Sequence, residues 1–161
     1  MDFREDLNRY GKNSLITQPA LWAILIYRFG RWTFTCPRII SPSMHLIYFI
    51  CYSFVRLITG IDIPRTAVIG PGLMIHHFSG VIIHPNAKIG KYCTLRQGVT
   101  IGVKHNDGRP PTIGDNFVAG AYAQILGEIL IEDNVTIGAL SLMTINGETG
   151  STYVGIPARK L

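Results

Sequence analysis

Aliphatic residues recur at every sixth position through the second part of the chain. They stand at Ile63, Ile69 and Ile75, then at Ile83, Ile89, Leu95 and Ile101, and finally at Ile113, Ala119, Ile125, Ile131, Ile137 and Met143. Four residues after most of these comes a small or medium side chain: Ala67, Leu73, Ser79, Ala87, Cys93, Val99, Phe117, Ala123, Ile129, Val135 and Ser141. Glycine often follows the aliphatic position, as at Gly70, Gly90, Gly102, Gly114 and Gly138. Neither an α-helix nor a simple strand repeats every six residues. A coil with three short flat faces does, with one aliphatic side chain per face pointing inward and a small residue near each corner. The pattern predicts a mostly β molecule over residues 61–161: a parallel β-helix of hexapeptide repeats, about four coils stacked at the strand spacing of ~4.8 Å.

Two places break the period. Between Ile75 and Ile83 the register slips by two residues around Ser79-Gly80-Val81. Between Ile101 and Ile113, the segment GVKHNDGRPPT (102–112) is polar and has no inward pattern, so it is expected as an extruded loop. Loops that interrupt a rigid scaffold tend to carry function.

Residues 1–60 read as a helical N-terminal region. Pro19 suits a first helical turn ahead of ALWAILIYRF, and Gly30 is placed to end that helix. Ser41 and Pro42 offer an N-cap and a first-turn proline for a second helix, with Gly60 at its C′ position. Both helices are apolar around most of their circumference, so each must be covered by its partner, another subunit or lipid. Burial in an oligomer is the plainer expectation. Peripheral membrane contact is the other, since Arg28, Arg31, Arg38 and Arg56 would suit anionic headgroups as well as a solvated face.

Composition narrows the classes. With 161 residues, 47% hydrophobic and 16% charged, the chain is a folded single domain with a sizeable core. A net charge of +5 suits an anionic partner such as a nucleotide cofactor or a membrane surface. No long basic run or aromatic–basic motif occurs, so nucleic acid is not expected. Cys36, Cys51 and Cys93 show no CxxC spacing or paired framework, which points to a reducing compartment. The start MDFREDLNRYGKN is no signal peptide, and the apolar run 44–58 falls short of the roughly 20 residues a spanning helix needs. A cytoplasmic protein is expected, with peripheral contact at the inner face of the membrane left open.

The repeat, the segment IDIPRTAVIGPGLMIHHFSGVII and the ending YVGIPARKL together resemble the left-handed β-helix acyltransferases. Within them the resemblance is to the serine acetyltransferase branch, nearest to its short relatives in exopolysaccharide and colanic-acid clusters. The left hand is implied by the resemblance alone, because general chirality rules favour right-handed crossovers. The resemblance also implies acetyl-CoA as co-substrate, no metal, and a homotrimer or dimer of trimers with the site in the groove between subunits.

His77 lies two residues past inward-facing Ile75, so it should point out of the coil. An imidazole there is suited to take a hydroxyl proton near neutral pH. In the resembled family the histidine of a DH-x-x-G pattern is the general base, and His77 matches it within HHFSG. Asp62, one coil earlier, matches the aspartate that orients that histidine, as in catalytic triads. An isolated surface histidine beside an unrelated aspartate would be the blander reading; the matched spacing within the repeat favours the functional one. Cys93 should face inward, so a direct transfer without a covalent relay is expected.

Departures from the family pattern shape the acceptor. His76 stands where the family has an acidic residue, Pro85 where it has a glutamate, and Arg109-Pro110-Pro111 where it has R-H-P. Those family groups would read the amino and carboxyl groups of serine, so their loss points to a sugar hydroxyl in polysaccharide biosynthesis, with serine O-acetylation as the alternative. The acceptor pocket is expected from His76, Arg96, His105, Asp107 and Arg109, each also readable as an ordinary surface residue. By resemblance, acetyl-CoA would run past Gly102, Gly120-Ala121 and Gly138-Ala139, with Arg159 and Lys160 at its 3′-phosphate. Tight corners require small residues in any case, and a basic tail can simply be solvated. His76, His77, His84 and His105 show no metal-ligand spacing, which disfavours a zinc-dependent lyase of the same architecture. A non-catalytic scaffold is the third reading.

Overall fold

The computed structural model describes residues 3–11 and 14–161. Four helices come first: α1 (Phe3–Asn8), α2 (Ser14–Thr17), α3 (Pro19–Trp32) and α4 (Ser41–Thr59). Fourteen short strands follow. In chain order they are β1 (Val68–Ile69), β2 (Met74–His76), β3 (Ile82–Ile83), β4 (Lys88–Ile89), β5 (Thr94–Arg96), β6 (Thr100–Gly102) and β7 (Thr112–Ile113). Then come β8 (Val118–Ala119), β9 (Gln124–Leu126), β10 (Leu130–Ile131), β11 (Thr136–Ile137), β12 (Leu142–Met143), β13 (Thr152–Val154) and β14 (Arg159–Lys160).

Parallel pairing joins each strand to the one a full coil later, giving three faces. The first is β1-β4-β7-β10, the second β2-β5-β8-β11-β13 with β14 antiparallel at its edge, and the third β3-β6-β9-β12. Hexad residues therefore stack in columns. Ile75, Leu95, Ala119, Ile137 and Tyr153 are partners along the second face. Every predicted inward aliphatic residue, from Ile63 to Met143, is buried. That makes about four coils, as the period predicts. Ser79 departs from its expected place: it is exposed, and Val81 fills the interior instead, because the two-residue slip is accommodated just before it.

The helices close the open end of the solenoid. A first coil presents unpaired backbone groups that must find partners, and side chains supply them. The Tyr27 hydroxyl donates to the Ala67 carbonyl (2.9 Å) and accepts from the Ile69 N–H (3.1 Å). The Tyr10 hydroxyl accepts from the Ile75 N–H (2.7 Å) and donates to the Ile75 carbonyl (3.3 Å). Arg28 donates to the Ile69 and Gly70 carbonyls, both at 2.7 Å, while gripping Asp6 at 2.8 and 3.0 Å. Asp6, fully buried, also accepts from the Leu73 N–H at 2.7 Å. Helix and coil residues accordingly share one buried cluster, with Leu21, Ile24 and Tyr27 against Ile61, Ile63 and Ile69.

Two local expectations are corrected. Gly30 does not end α3, which runs on to Trp32; a Cβ at Gly30 would lie 2.4 Å from Tyr48 Cε2 and 2.8 Å from Arg65 Cβ, so glycine permits close packing of α3 on α4. Ser41 is inside α4 and not its cap: Ile40 precedes the helix without a capping hydrogen bond, and the Ser41 hydroxyl pairs with His45 Nδ1 at 3.2 Å. Gly60 does close α4, with φ +66 and its N–H donating to the Arg56 carbonyl. Helix α4 buries Tyr48, Val55 and Thr59, yet leaves Leu46, Ile50, Phe54 and Leu57 exposed as a second apolar stripe. Among the described residues no helix is long and apolar enough to cross a membrane.

Candidate functional site

The two-residue slip and His77 coincide. In the regular coils the left-handed corner residue comes three positions after the inward one: Gly98 after Leu95, Tyr122 after Ala119, Leu140 after Ile137. In the first coil the residue stacked on Gly98 is Gly80, five positions after Ile75, with a Cβ there 3.6 Å from Gly98 Cα. Pairing of His76 with Arg96 remains in register, so the extra residues lie beyond His76, in the corner that contains His77. His77 adopts φ +62 and is exposed. Bulges that re-aim a side chain are a recurrent device at sites of chemistry, and here the bulge carries the one residue singled out as a base.

Asp62 sits against this corner. Its N–H donates to the Val81 carbonyl (2.8 Å), and its own carbonyl accepts from the Ile83 N–H (2.9 Å). Its carboxylate accepts the Tyr52 hydroxyl and pairs with Arg56 at 3.1 Å. Burial, then the bond to Asp62, pushes the Tyr52 hydroxyl above its ordinary pKa. None of the hydrogen bonds described joins Asp62 to His77. The Asp62–His77 dyad implied by the resemblance is thus not closed in this chain. Tyr52 and Arg56, which nothing in the six-residue period marks, are what hold the carboxylate.

His76 and Arg96 stand opposite each other on β2 and β5. Burial, followed by the charges of Arg96, His77 and Arg9, lowers the His76 pKa. Beside them a cleft of about 350 Å³ opens, lined by Arg9, Tyr10, Gln18, Met74 and His76. Arg9 and Tyr10 come from the N-terminal segment, and no sequence signal links them to residues more than sixty positions away.

His105, Asp107 and Arg109 lie elsewhere. They belong to the loop 103–111, which leaves the third face at β6 and rejoins the first at β7. Arg109 forms an ion pair with Glu128 at 3.0 Å and borders a cleft of about 610 Å³ with Lys88, Thr112 and Leu130. The five expected acceptor residues therefore do not form one pocket within a chain, because faces of a three-sided coil point apart.

The residues expected to bind acetyl-CoA also have structural roles. Gly120, Ala121, Gly138 and Ala139 form corners between the second and third faces, and Gly102 ends β6. A Cβ at Gly120 would come 2.4 Å from the Ala139 nitrogen, so rung stacking alone demands glycine there. Arg159 and Lys160 form β14, and Lys160 pairs with Glu148 at 2.5 Å, which raises its pKa. Among the described residues, no three His, Cys, Asp or Glu side chains gather as a metal site. Cys93 is buried, and burial pushes its thiol up to about 11.

No family model matches the chain. A serine acetyltransferase of Helicobacter pylori is 38% identical over 154 residues, covering 91% of this chain and 84% of the relative. One from Synechococcus elongatus is 37% identical over 163 residues, covering 97% of this chain and 62% of the relative. The solved soybean serine acetyltransferase complexed with serine superposes with a TM-score of 0.83 at 28% identity, covering 99% of this chain and 66% of that one. The chain thus spans 62% of the Synechococcus relative's length. These relatives overturn the expected nearness to exopolysaccharide and colanic-acid enzymes, and with it the assignment to a sugar hydroxyl. Curated relatives at 37% and 38% identity, and a Staphylococcus xylosus protein at 45% over 104 residues, are all named serine acetyltransferases. A parallel β-helix of this register, a histidine in its corner bulge, and 38% identity across 84% of a curated relative place the chain in the serine acetyltransferase family.

Proposed function

We propose that the chain transfers the acetyl group of acetyl-CoA to the hydroxyl of L-serine, with His77 as general base. The observation that carries this reading is family membership together with the placement of His77, exposed, in the two-residue bulge of the first coil. In the proposed step Asp62 turns toward the imidazole and fixes its tautomer. His77 removes the hydroxyl proton, and the oxygen attacks the thioester carbonyl. Collapse of the tetrahedral intermediate expels the CoA thiolate, which takes the proton back from the imidazolium. Backbone N–H groups at the coil corners would steady the oxyanion, an effect of about 3 kcal/mol per donor.

Acetyl-CoA would follow Gly102, Gly120, Ala121, Gly138 and Ala139, with Arg159 and Lys160 at the 3′-phosphate. In the homotrimer proposed with it, the 103–111 loop of one copy, with His105, Asp107 and Arg109, would meet the His77 corner of the next. Exposed Val68 and Leu130 on the first face, and the stripe on α4, are apolar surface for such an assembly to cover. The test is thiol release from acetyl-CoA on addition of L-serine, run on wild type and His77→Ala, alongside the mass in solution. Serine-dependent turnover lost in the variant supports the reading, and an inert wild-type trimer removes it.

A further inference from the structure

Among the described residues a single buried side-chain polar atom lacks a hydrogen bond: Gln97 Oε1. No hydrogen bond among the described residues involves the Gln97 amide nitrogen either. Buried polar groups are almost always paired, so an uncommitted carboxamide at a candidate site is a group free to meet substrate. Its oxygen and NH2 ends exchange by a half-turn of the terminal torsion, so either can be presented. The backbone places this group. Corner N–H groups bond to the coil before: Tyr122 donates to the Gln97 carbonyl (2.9 Å) and Leu140 to the Ala121 carbonyl (2.8 Å). In the same way Gly98 donates to the Ser79 carbonyl at 2.9 Å. Ser79, Gln97, Ala121 and Ala139 therefore form one column. His76 remains paired with Arg96, so His77 and Phe78 are the two inserted residues, looped out between the rung positions of Arg96 and Gln97.

We propose that the Gln97 carboxamide donates a hydrogen bond to the thioester carbonyl of acetyl-CoA and holds the oxyanion that forms on it. The proposal rests on acetyl transfer with His77 as base, and on the cofactor path past Ala139 and Ala121. Along that path Gln97 is the next rung, about 4.8 Å on. There the column of alanines gives way to a long polar side chain. A thioester led down the column therefore meets the carboxamide just before the inserted His77. When the acceptor oxygen adds to the carbonyl carbon, the C=O π pair moves onto oxygen, and the Gln97 NH2 is a donor for that charge. When the pair returns, the C–S bond breaks and the thiolate leaves with its electrons; Gln97 neither gains nor loses a proton. A neutral donor suits this position. A guanidinium would also hold the oxyanion, but its charge would lower the pKa of the neighbouring imidazole and weaken the base. The carboxamide does the first without the second, and it is in place before the charge develops.

The test is Gln97→Leu in the intact protein, with L-serine and acetyl-CoA as substrates. Leucine is similar in volume and removes a buried, unpaired atom, so the melting temperature is expected to equal or exceed that of wild type. The kcat is expected to fall about a hundredfold, the effect of losing one oxyanion donor, while both KM values change less than about threefold. Gln97→Glu keeps the shape and sets a negative charge against the oxyanion, so it should lose at least as much. Wild-type kcat in either variant overturns the proposal. A second readout needs no acceptor. The C=O stretch of carbonyl-labelled acetyl-CoA should lie lower on wild type than on Gln97→Leu, because a hydrogen bond weakens that bond. Equal stretches overturn the assignment. A lowered stretch on a protein that leaves L-serine untouched would keep Gln97 at the thioester and remove the serine reading. Serine turnover equal in wild type and Gln97→Leu would remove the role of Gln97 alone.

Discussion

The Tyr52 hydroxyl donates a hydrogen bond to the Asp62 carboxylate, tying α4 to the first rung of the coil beside the His77 corner. With Arg56 at 3.1 Å on the same carboxylate, the orientation of Asp62 is set from the helix. Asp62→Asn keeps the shape but removes the charge that would stabilise an imidazolium. It is expected to lower kcat roughly tenfold or more with little change in KM for acetyl-CoA. Tyr52→Phe removes one hydrogen bond, is expected to cost about 1 kcal/mol of stability, and should lower kcat less than Asp62→Asn does. An unchanged kcat in Asp62→Asn would reduce Asp62 to a tether for α4.

The N-terminal cap makes a sharper stability claim. Asp6 and Arg28 are buried together, and removing one leaves the other unpaired in the interior. Asp6→Ala is therefore expected to lower stability by about 3–5 kcal/mol in denaturant titration. An effect no larger than that of a surface pair, below about 1 kcal/mol, would contradict this role.

Alkali should loosen the same cap. Burial pushes the Tyr10 hydroxyl up to about 12 from 10.0. A group raised in the folded state stabilises fully below its unfolded pKa and loses that contribution as pH climbs to the folded value. The Tyr10 contribution is thus intact at neutral pH and lost between about 10 and about 12. Comparison of wild type with Tyr10→Phe by thermal melting should show the difference between them shrinking across that window. A difference constant to the top of it would contradict the assignment.

Cys93 should be chemically silent. Its buried thiol, pushed up to about 11, is almost wholly protonated at pH 8. A thiol reagent is expected to modify Cys36 and Cys51 in the native protein, and Cys93 only after unfolding. Rapid native labelling of Cys93 would reopen a covalent relay.

The coil was legible because its constraint is local and periodic. Each inward position is a single aliphatic residue, and neighbouring rungs repeat it, so Ile69, Ile89, Ile113 and Ile131 announce one column in the sequence. The bulge was legible as a broken period, which is how His77 and the structural anomaly meet. The cap was not legible. Asp6, Arg9 and Tyr10 act on backbone groups more than sixty residues away, and a short polar segment carries no periodic trace of such partners. Gly30 misled because the same residue that ends helices also lets two helices touch. His76, Pro85 and Pro110 are single positions in the sequence, whereas the charge of a site is a sum over residues such as Arg9 and Arg96 that the fold brings to one face.

The most direct measurement is free-thiol release from acetyl-CoA with L-serine as acceptor, comparing wild type with His77→Ala. Serine-dependent turnover in wild type, reduced at least about a hundredfold in a variant that keeps its fold and assembly, is the expected result. Turnover unaffected by the substitution would contradict His77 as the base, and a folded wild type that leaves L-serine untouched would contradict the proposed function itself.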